Sequence, residues 1–241
     1  MNALALLEAQ AAAWGISIDD GRRESLLEYA RILATYDRAN VIGTRDLDGI
    51  LLAHVLDSLS CLLHEPLSRA GRLADIGSGG GLPGIPIHIA RRDLQTTLVE
   101  SVGKKARFLR YAVEGLGLGA VEVANVRAED LGREPGHRGA YDVVTSRAVA
   151  RLSVVVEYCV PLLEVGGSAI VMKGRLQAEE LSEGAGAAGT LGAEVAEVMP
   201  VPMIPELGAK ERNLVILAKT RETPQRYPRR SGTVVKKPLG G

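Results

Sequence analysis

Apolar residues recur at helical spacing near the start of the chain: Leu4, Leu7, Ala11 and Trp14 fall on one helix face. Asp19 or Asp20 stands where a helix cap is expected, and Leu26, Ala30 and Leu33 follow at intervals of four and three. A third periodic stretch, from about Asp48 to Leu63, carries Leu51, Val55 and Leu59 and ends before Pro66. At Gly71 the pattern changes. Arg72 to Ile76 reads as a short strand running into a glycine cluster, and strands and helices then alternate. Strands are expected near 94–100, 121–126, 141–145 and 166–172, and helices near 84–92, 103–117, 150–164 and 175–188. This alternation predicts an open, mostly parallel sheet covered on both faces. The β-rich runs Val195 to Val201 and Asn213 to Ala218 fit antiparallel strands at one edge. The chain thus divides into an N-terminal helical cap (1–70), an α/β domain (71–220) and a tail (221–241).

Composition excludes several classes. Cys61 and Cys159 are far apart and match no zinc or redox spacing, and His54, His64, His88 and His137 add no metal-ligand pattern, so no metal site is expected. No apolar run reaches the roughly 18 residues of a membrane helix. Met1 to Trp14 lacks Lys and Arg and is interrupted by Glu8 and Gln10, which argues against a signal peptide; a cytoplasmic monomer is the expectation. The net charge of zero is unevenly spread. From Lys219 onward seven basic residues face one acid, Glu222, leaving this end at +6 and residues 1–218 at −6. Such an end fits a polyanionic partner, and equally a solvated terminus.

The strongest local signal is Asp75-Ile76-Gly77-Ser78-Gly79-Gly80-Gly81-Leu82-Pro83-Gly84, a strand feeding a glycine turn that opens a helix. In open α/β sheets the carboxyl end of the first strand is where cofactors sit. Two cofactors fit. Gly79-x-Gly81-x-x-Gly84 matches the dinucleotide fingerprint, with Glu100 placed for a ribose hydroxyl, as in an NAD-dependent oxidoreductase. Alternatively, Asp75 to Gly81 is an acid-x-Gly-x-Gly-x-Gly loop suited to S-adenosylmethionine. Asp75 suits a cationic ligand end better than a pyrophosphate. Pro83 and Pro86 lack the free amides a pyrophosphate wants. No hydride-transfer constellation is evident. Glu100 serves both readings.

The segment Asp75 to Pro86 resembles the signature of the glucose-inhibited division protein B (RsmG) family, bacterial methyltransferases acting on guanine N7 in 16S ribosomal RNA. Four further segments match in order: His54 to Leu59, Gly103 to Leu109, Thr145 to Ala148, and Tyr227 to Arg230. The resemblance implies a class I, Rossmann-like methyltransferase fold, a seven-stranded sheet with an N-terminal helical extension. It implies S-adenosylmethionine as cofactor, with contacts at Gly77, Leu82, Ala128, Glu129 and Arg147. It also implies 16S rRNA, free or in the small ribosomal subunit or an assembly intermediate, as partner, and position 527 as target. Asp75, Gly79 and Glu100 join the expected cofactor set from the loop argument. Whether Glu129 or Asp130 meets the adenine stays open.

The chemistry agrees with this reading. No Pro-Cys nucleophile occurs, and Thr145-Ser146-Arg147-Ala148 replaces the Asn/Asp-Pro-Pro-aromatic loop of amine methylation. Guanine N7 is an unprotonated acceptor, so no general base is needed. With eight aromatic residues a multi-base stacking platform is not expected, and recognition should lean on phosphates and shape. Arg147 and His54 are the catalytic candidates. Arg147 after a strand is a clamp for a carboxylate or phosphate, or a surface ion pair. His54 is a packed helical histidine by default and a holder of the flipped base or of the cap by resemblance. The RNA-binding candidates are Asn40, Lys104, Lys105, Arg229, Arg230, Lys236 and Lys237. Asn40 alone reads as a turn residue, and the lysines as solvated. A non-catalytic RNA-binding module is the remaining alternative.

Overall fold

Asn2, Asp19 and Asp46 start the first three helices. Each side-chain oxygen accepts a backbone N–H three residues on, at 2.8 Å, satisfying a donor that the first turn leaves open. They open α1 (Ala3–Ala13), α2 (Asp20–Thr35) and α3 (Leu47–Ile50) in a computed structural model that describes residues 2–204, 208 and 211–240. The expected helix over 48–63 forms with its middle widened: a π-helical segment, Leu51–Leu56, links α3 to α4 (Asp57–Leu59) and a 3-10 turn, Ser60–Leu63. Such widened turns occur often at functional sites. Here the segment carries His54.

The α/β alternation then runs β1 (Arg72–Ile76), α5 (Gly84–Ala90), β2 (Gln95–Val99), α6 (Gly103–Gly115), β3 (Val121–Ala124), α7 (Ala128–Leu131), β4 (Tyr141–Arg147), α8 (Leu152–Cys159), β5 (Leu163–Lys173), α9 (Ala178–Leu191), β6 (Ala193–Pro200) and β7 (Asn213–Lys219), with a short α10 (Thr233–Lys236) in the tail. The seven strands are ordered β3-β2-β1-β4-β5-β7-β6. Only β7 runs against its neighbours, so the far edge strand β6 lies parallel to the rest; the expected antiparallel edge is one reversed strand. The order changes direction between β1 and β4, and this switch point opens the crevice that such sheets use for ligands.

Successive residues of the central strands feed opposite layers. Val143, Ile170 and Ile216 pack on one face with Leu73 and Ile87, continuous with the cap. Val144, Val171, Val215 and Leu217 pack on the other with α8 and α9. The cap helices share one core with α5 and α6: Leu7, Leu26, Tyr29 and Leu33 meet Ile85, Phe108 and Leu109. Among the described residues no helix is long and apolar enough to cross a membrane.

Candidate active site

The glycine loop is held from three sides. Gly77 and Ser78 donate to the Val99 carbonyl at 2.9 and 3.1 Å, tying the loop to β2. The Glu100 carboxylate accepts from Gly79 N at 3.0 Å and Val102 N at 2.7 Å. The buried Tyr29 hydroxyl of the cap donates to the Gly80 carbonyl. Two glycines are required by geometry. Gly77 has φ +71°, and a Cβ there would lie 2.5 Å from Val149 Cγ2. At Gly80 a Cβ would lie 2.9 Å from the Val41 carbonyl, so the cap can approach the loop only because the side chain is missing.

Asp75 corrects its expected role. It is sealed at 0% exposure, where Oδ2 accepts from Gly84 N at 3.2 Å and Oδ1 from Thr145 Oγ1 at 2.9 Å. Burial, opposed by these hydrogen bonds, pushes its pKa up to about 6. It therefore holds the loop from behind. Leu82 is likewise a core side chain, packed with the cap, and only its backbone belongs to the loop.

Two clefts lie at the carboxyl ends of the central strands. The first, about 150 Å³, lies over Ile76, Gly77, Val99, Ala128, Glu129 and Val149. Its walls are mostly apolar, and Glu129, 3% exposed, lines it with a carboxylate that makes no hydrogen bond to the described residues. Asp130 is exposed outside it. Burial, with Glu129 nearby, raises the Tyr158 hydroxyl at the same cleft to about 12. The second cleft, about 220 Å³, sits at the carboxyl ends of β4 and β5 and is lined by Asp57, Arg147, Ala148, Met172 and Arg212. The wall between them is Arg147-Ala148-Val149. Arg147 faces the second cleft, Val149 the first, and Ala148 between them has φ +55°, the one non-glycine with positive φ among the described residues. Such strain persists where surrounding structure imposes it.

Of the expected readings of Arg147, the ion pair is the one the fold shows directly. Its guanidinium meets Asp57 Oδ2 at 3.3 Å and His54 Nδ1 at 3.5 Å, joining β4 to the widened helix of the cap. Burial and Arg147 together push the His54 pKa down to about 4, so the ring is neutral at physiological pH. Asp57 and Arg212 were not legible as site residues. Arg212 Nε stands 3.9 Å from Asp57 Oδ1, and Asp57 Oδ1, Arg212 Nε and Arg212 Nη2 are buried without hydrogen-bond partners among the described residues. Burial raises the Asp57 pKa against the pull of both arginines. The available signal was a carboxylate three residues after His54 inside an apolar helix.

The expected RNA contacts are scattered. Asn40 is exposed in the loop between α2 and α3, in a shallow depression with Asp37, Thr44 and Arg45. Lys104 is exposed and Lys105 half-buried on the first turn of α6. Arg229 is a correction. Its guanidinium and backbone N–H make four hydrogen bonds to Glu157, which is 0% exposed on α8, so its charge is spent inside the fold. Arg230, Lys236 and Lys237 are exposed nearby, on the α8–α9 side of the sheet, opposite the face that carries α6 and the cap.

A family profile described as rRNA small subunit methyltransferase G matches residues 22–215. A protein of Rubrobacter xylanophilus named ribosomal RNA small subunit methyltransferase G is 56% identical over 233 residues, covering 96% of this chain and 89% of the relative. One of the same name from Roseiflexus is 43% identical over 230 residues, covering 95% and 97%. Among solved structures, the S-adenosylmethionine-dependent methyltransferase SibL in its apo form matches at TM-score 0.54 and 13% identity, covering 82% of this chain and 70% of that one. The [4+2]-cyclase SpnF matches at 0.52 and 18%, covering 68% and 81%. These likenesses establish the fold alone, and a cyclase among them illustrates why the fold cannot carry the function.

Proposed function

Because this chain belongs to the rRNA small subunit methyltransferase G family, we propose that it transfers a methyl group from S-adenosylmethionine to N7 of one guanine in 16S ribosomal RNA. The observation that carries this reading, beyond membership, is the pair of clefts on either side of the Arg147-Ala148-Val149 wall. The first fits the nucleoside of the cofactor: apolar walls for a purine, and the unpaired Glu129 carboxylate to accept from the adenine amine. Glu100 keeps lone pairs beyond the two it gives to Gly79 and Val102, which suit ribose hydroxyls. The backbone of Gly77 lines the first cleft. Nothing supports the nicotinamide or non-catalytic readings over this one.

When bound, S-adenosylmethionine supplies a methyl group on a cationic sulfur, so positive charge passes to the purine and no proton has to leave first. The neutral His54 fits that demand, since a ring with pKa near 4 is a poor base at physiological pH. Its work is to hold the Arg147 guanidinium. Arg147 and Arg212 bring positive charge for the nucleotide's phosphate, and the Asp57 carboxylate between them opposes the charge that develops on the ring. N7 lies in the deep, narrow major groove of paired RNA, so the target base enters the second cleft from a loop or splayed from its stack. In this reading residues 1–70 cap the cleft, 71–220 carry the chemistry, and the protein acts as a cytoplasmic monomer on free RNA or on an assembling particle.

The test uses small subunits from cells lacking the protein, incubated with it and S-adenosylmethionine, then treated with borohydride and aniline. One new cofactor-dependent break in 16S RNA is expected. Methyl label without a break rejects N7, and neither label nor break on subunits or free RNA rejects the reading.

A further inference from the structure

Four cations and two tyrosines that no step above uses line one groove of about 500 Å³ on the cap side of the sheet: Tyr36, Arg38, Lys104, Arg107, Arg110 and Tyr111. Lys104, Arg107 and Arg110 follow one another at three-residue spacing and Tyr111 lies four residues after Arg107, so they form a stripe along exposed α6, about 10 Å long at 1.5 Å per residue. Among the described residues none of these four cations makes a salt bridge, and the acid at the groove is Glu114, at its far end. Lys104 sits in the first turn of a helix, where a cation is disfavoured unless an anion joins it. The aromatic pair is fixed from below. Tyr36 packs edge-on against the buried Phe108 at 4.8 Å, and Tyr111 lies 5.6 Å from Tyr36 and is 53% exposed. The stripe begins just beyond Val102, whose N–H is bound by Glu100, and so at the rim of the first cleft.

A row of unpaired cations beside an exposed, braced aromatic ring is the combination that tracks a single strand, phosphates on the cations and a base on the ring. A folded acidic protein would meet the charge but leave the ring without a partner. We propose that this groove holds the single-stranded RNA next to the target nucleotide, with one base stacked on Tyr111 and phosphates on Arg107 and Arg110. The inference rests on the ribosomal RNA reading above and adds the surface that orients the strand. It also puts the main RNA contact on the face opposite the basic tail.

The test measures binding of the full-length protein to a labelled, unmodified 16S RNA transcript across a salt series, with S-adenosylhomocysteine affinity as the control for folding. Arg107→Gln with Arg110→Gln should weaken binding about tenfold or more and flatten the log–log salt slope by about 1.4, two phosphates' worth. Tyr111→Ala should weaken binding about fivefold or more, Tyr111→Trp should restore it, and the KM for small subunits should rise in step. S-adenosylhomocysteine affinity should stay within twofold throughout. Wild-type slope and affinity in the double variant overturn the proposal, and unchanged binding in Tyr111→Ala overturns the base seat. Preference of the wild type for anionic vesicles or an acidic peptide over RNA also overturns it. Because the readout is binding, a wild type that binds RNA through this groove yet makes no 7-methylguanosine would reject the reaction and keep the groove.

Discussion

Arg147 at the end of β4 and Asp57 in the cap meet at 3.3 Å, so the second cleft is lined by an ion pair whose halves lie 90 residues apart. If Asp57 opposes the charge developing on the target base, Asp57→Asn should slow methyl transfer by about tenfold or more, roughly 1.4 kcal/mol in the barrier. Binding of S-adenosylhomocysteine should be little changed. Single-turnover rates on small subunits and calorimetry with the product cofactor check this; a lost cofactor affinity with an intact rate would reverse the assignment.

His54 makes a claim about pH. With its pKa near 4, the ring loses its proton well below neutrality, so the single-turnover rate should be flat in this group between pH 6 and 8. His54→Gln should keep that flat profile. A limb near pH 7 in the wild type that vanishes in His54→Gln would make the histidine a base after all.

Glu129 and Asp130 separate cleanly. Glu129→Gln should weaken cofactor binding about tenfold or more, the loss of a hydrogen bond to a charged group. Asp130→Asn should leave it within twofold, because that side chain is exposed outside the cleft. Titration calorimetry with S-adenosylhomocysteine reads both.

Asp75 makes a claim about stability. Its folded pKa, about 6, lies above its unfolded value, so its contribution is fully present below about pH 4 and lost as pH rises through 6. The difference in unfolding free energy between wild type and Asp75→Asn should therefore move against the wild type across that window and then level off. His54 titrates in the opposite sense, which is why the difference curve is the measurement. A flat difference in urea titrations from pH 4 to 7 would show the carboxyl to be unperturbed.

Arg229→Ala should destabilise the protein by about 3–5 kcal/mol, because it strands the fully buried Glu157 carboxylate. The salt slope of RNA binding should stay as in the wild type. A reduced slope with unchanged melting temperature would return Arg229 to the RNA.

The alternation of elements and the glycine loop were legible because each depends on local sequence: periodicity, φ > 0, and a strand-to-helix turn. The seven strands fall within a few residues of their expected places. What stayed hidden depends on distant partners. Asp75 looks like a ligand because it adjoins the loop, yet Thr145, 70 residues on, turns it inward. Arg229 looks like a free cation in a basic tail, yet Glu157 is already buried beneath it. The widened turn at Leu51–Leu56 leaves no mark on apolar spacing, so Asp57 could not be aimed from sequence. The groove on α6 escaped because its aromatic half, Tyr36, ends a different helix.

The Glu157–Arg229 contact also orders events in time. During synthesis α8 leaves the ribosome 72 residues before the guanidinium that neutralises its carboxylate. Until then the α8–α9 side cannot close without burying a lone charge, while the cap, β1 and β2 already hold the residues that shape the glycine loop. The nascent enzyme should thus assemble one side of its sheet early and seal the other only when the tail emerges. A chain stalled short of Arg229 would expose that unfinished side to chaperones and proteases.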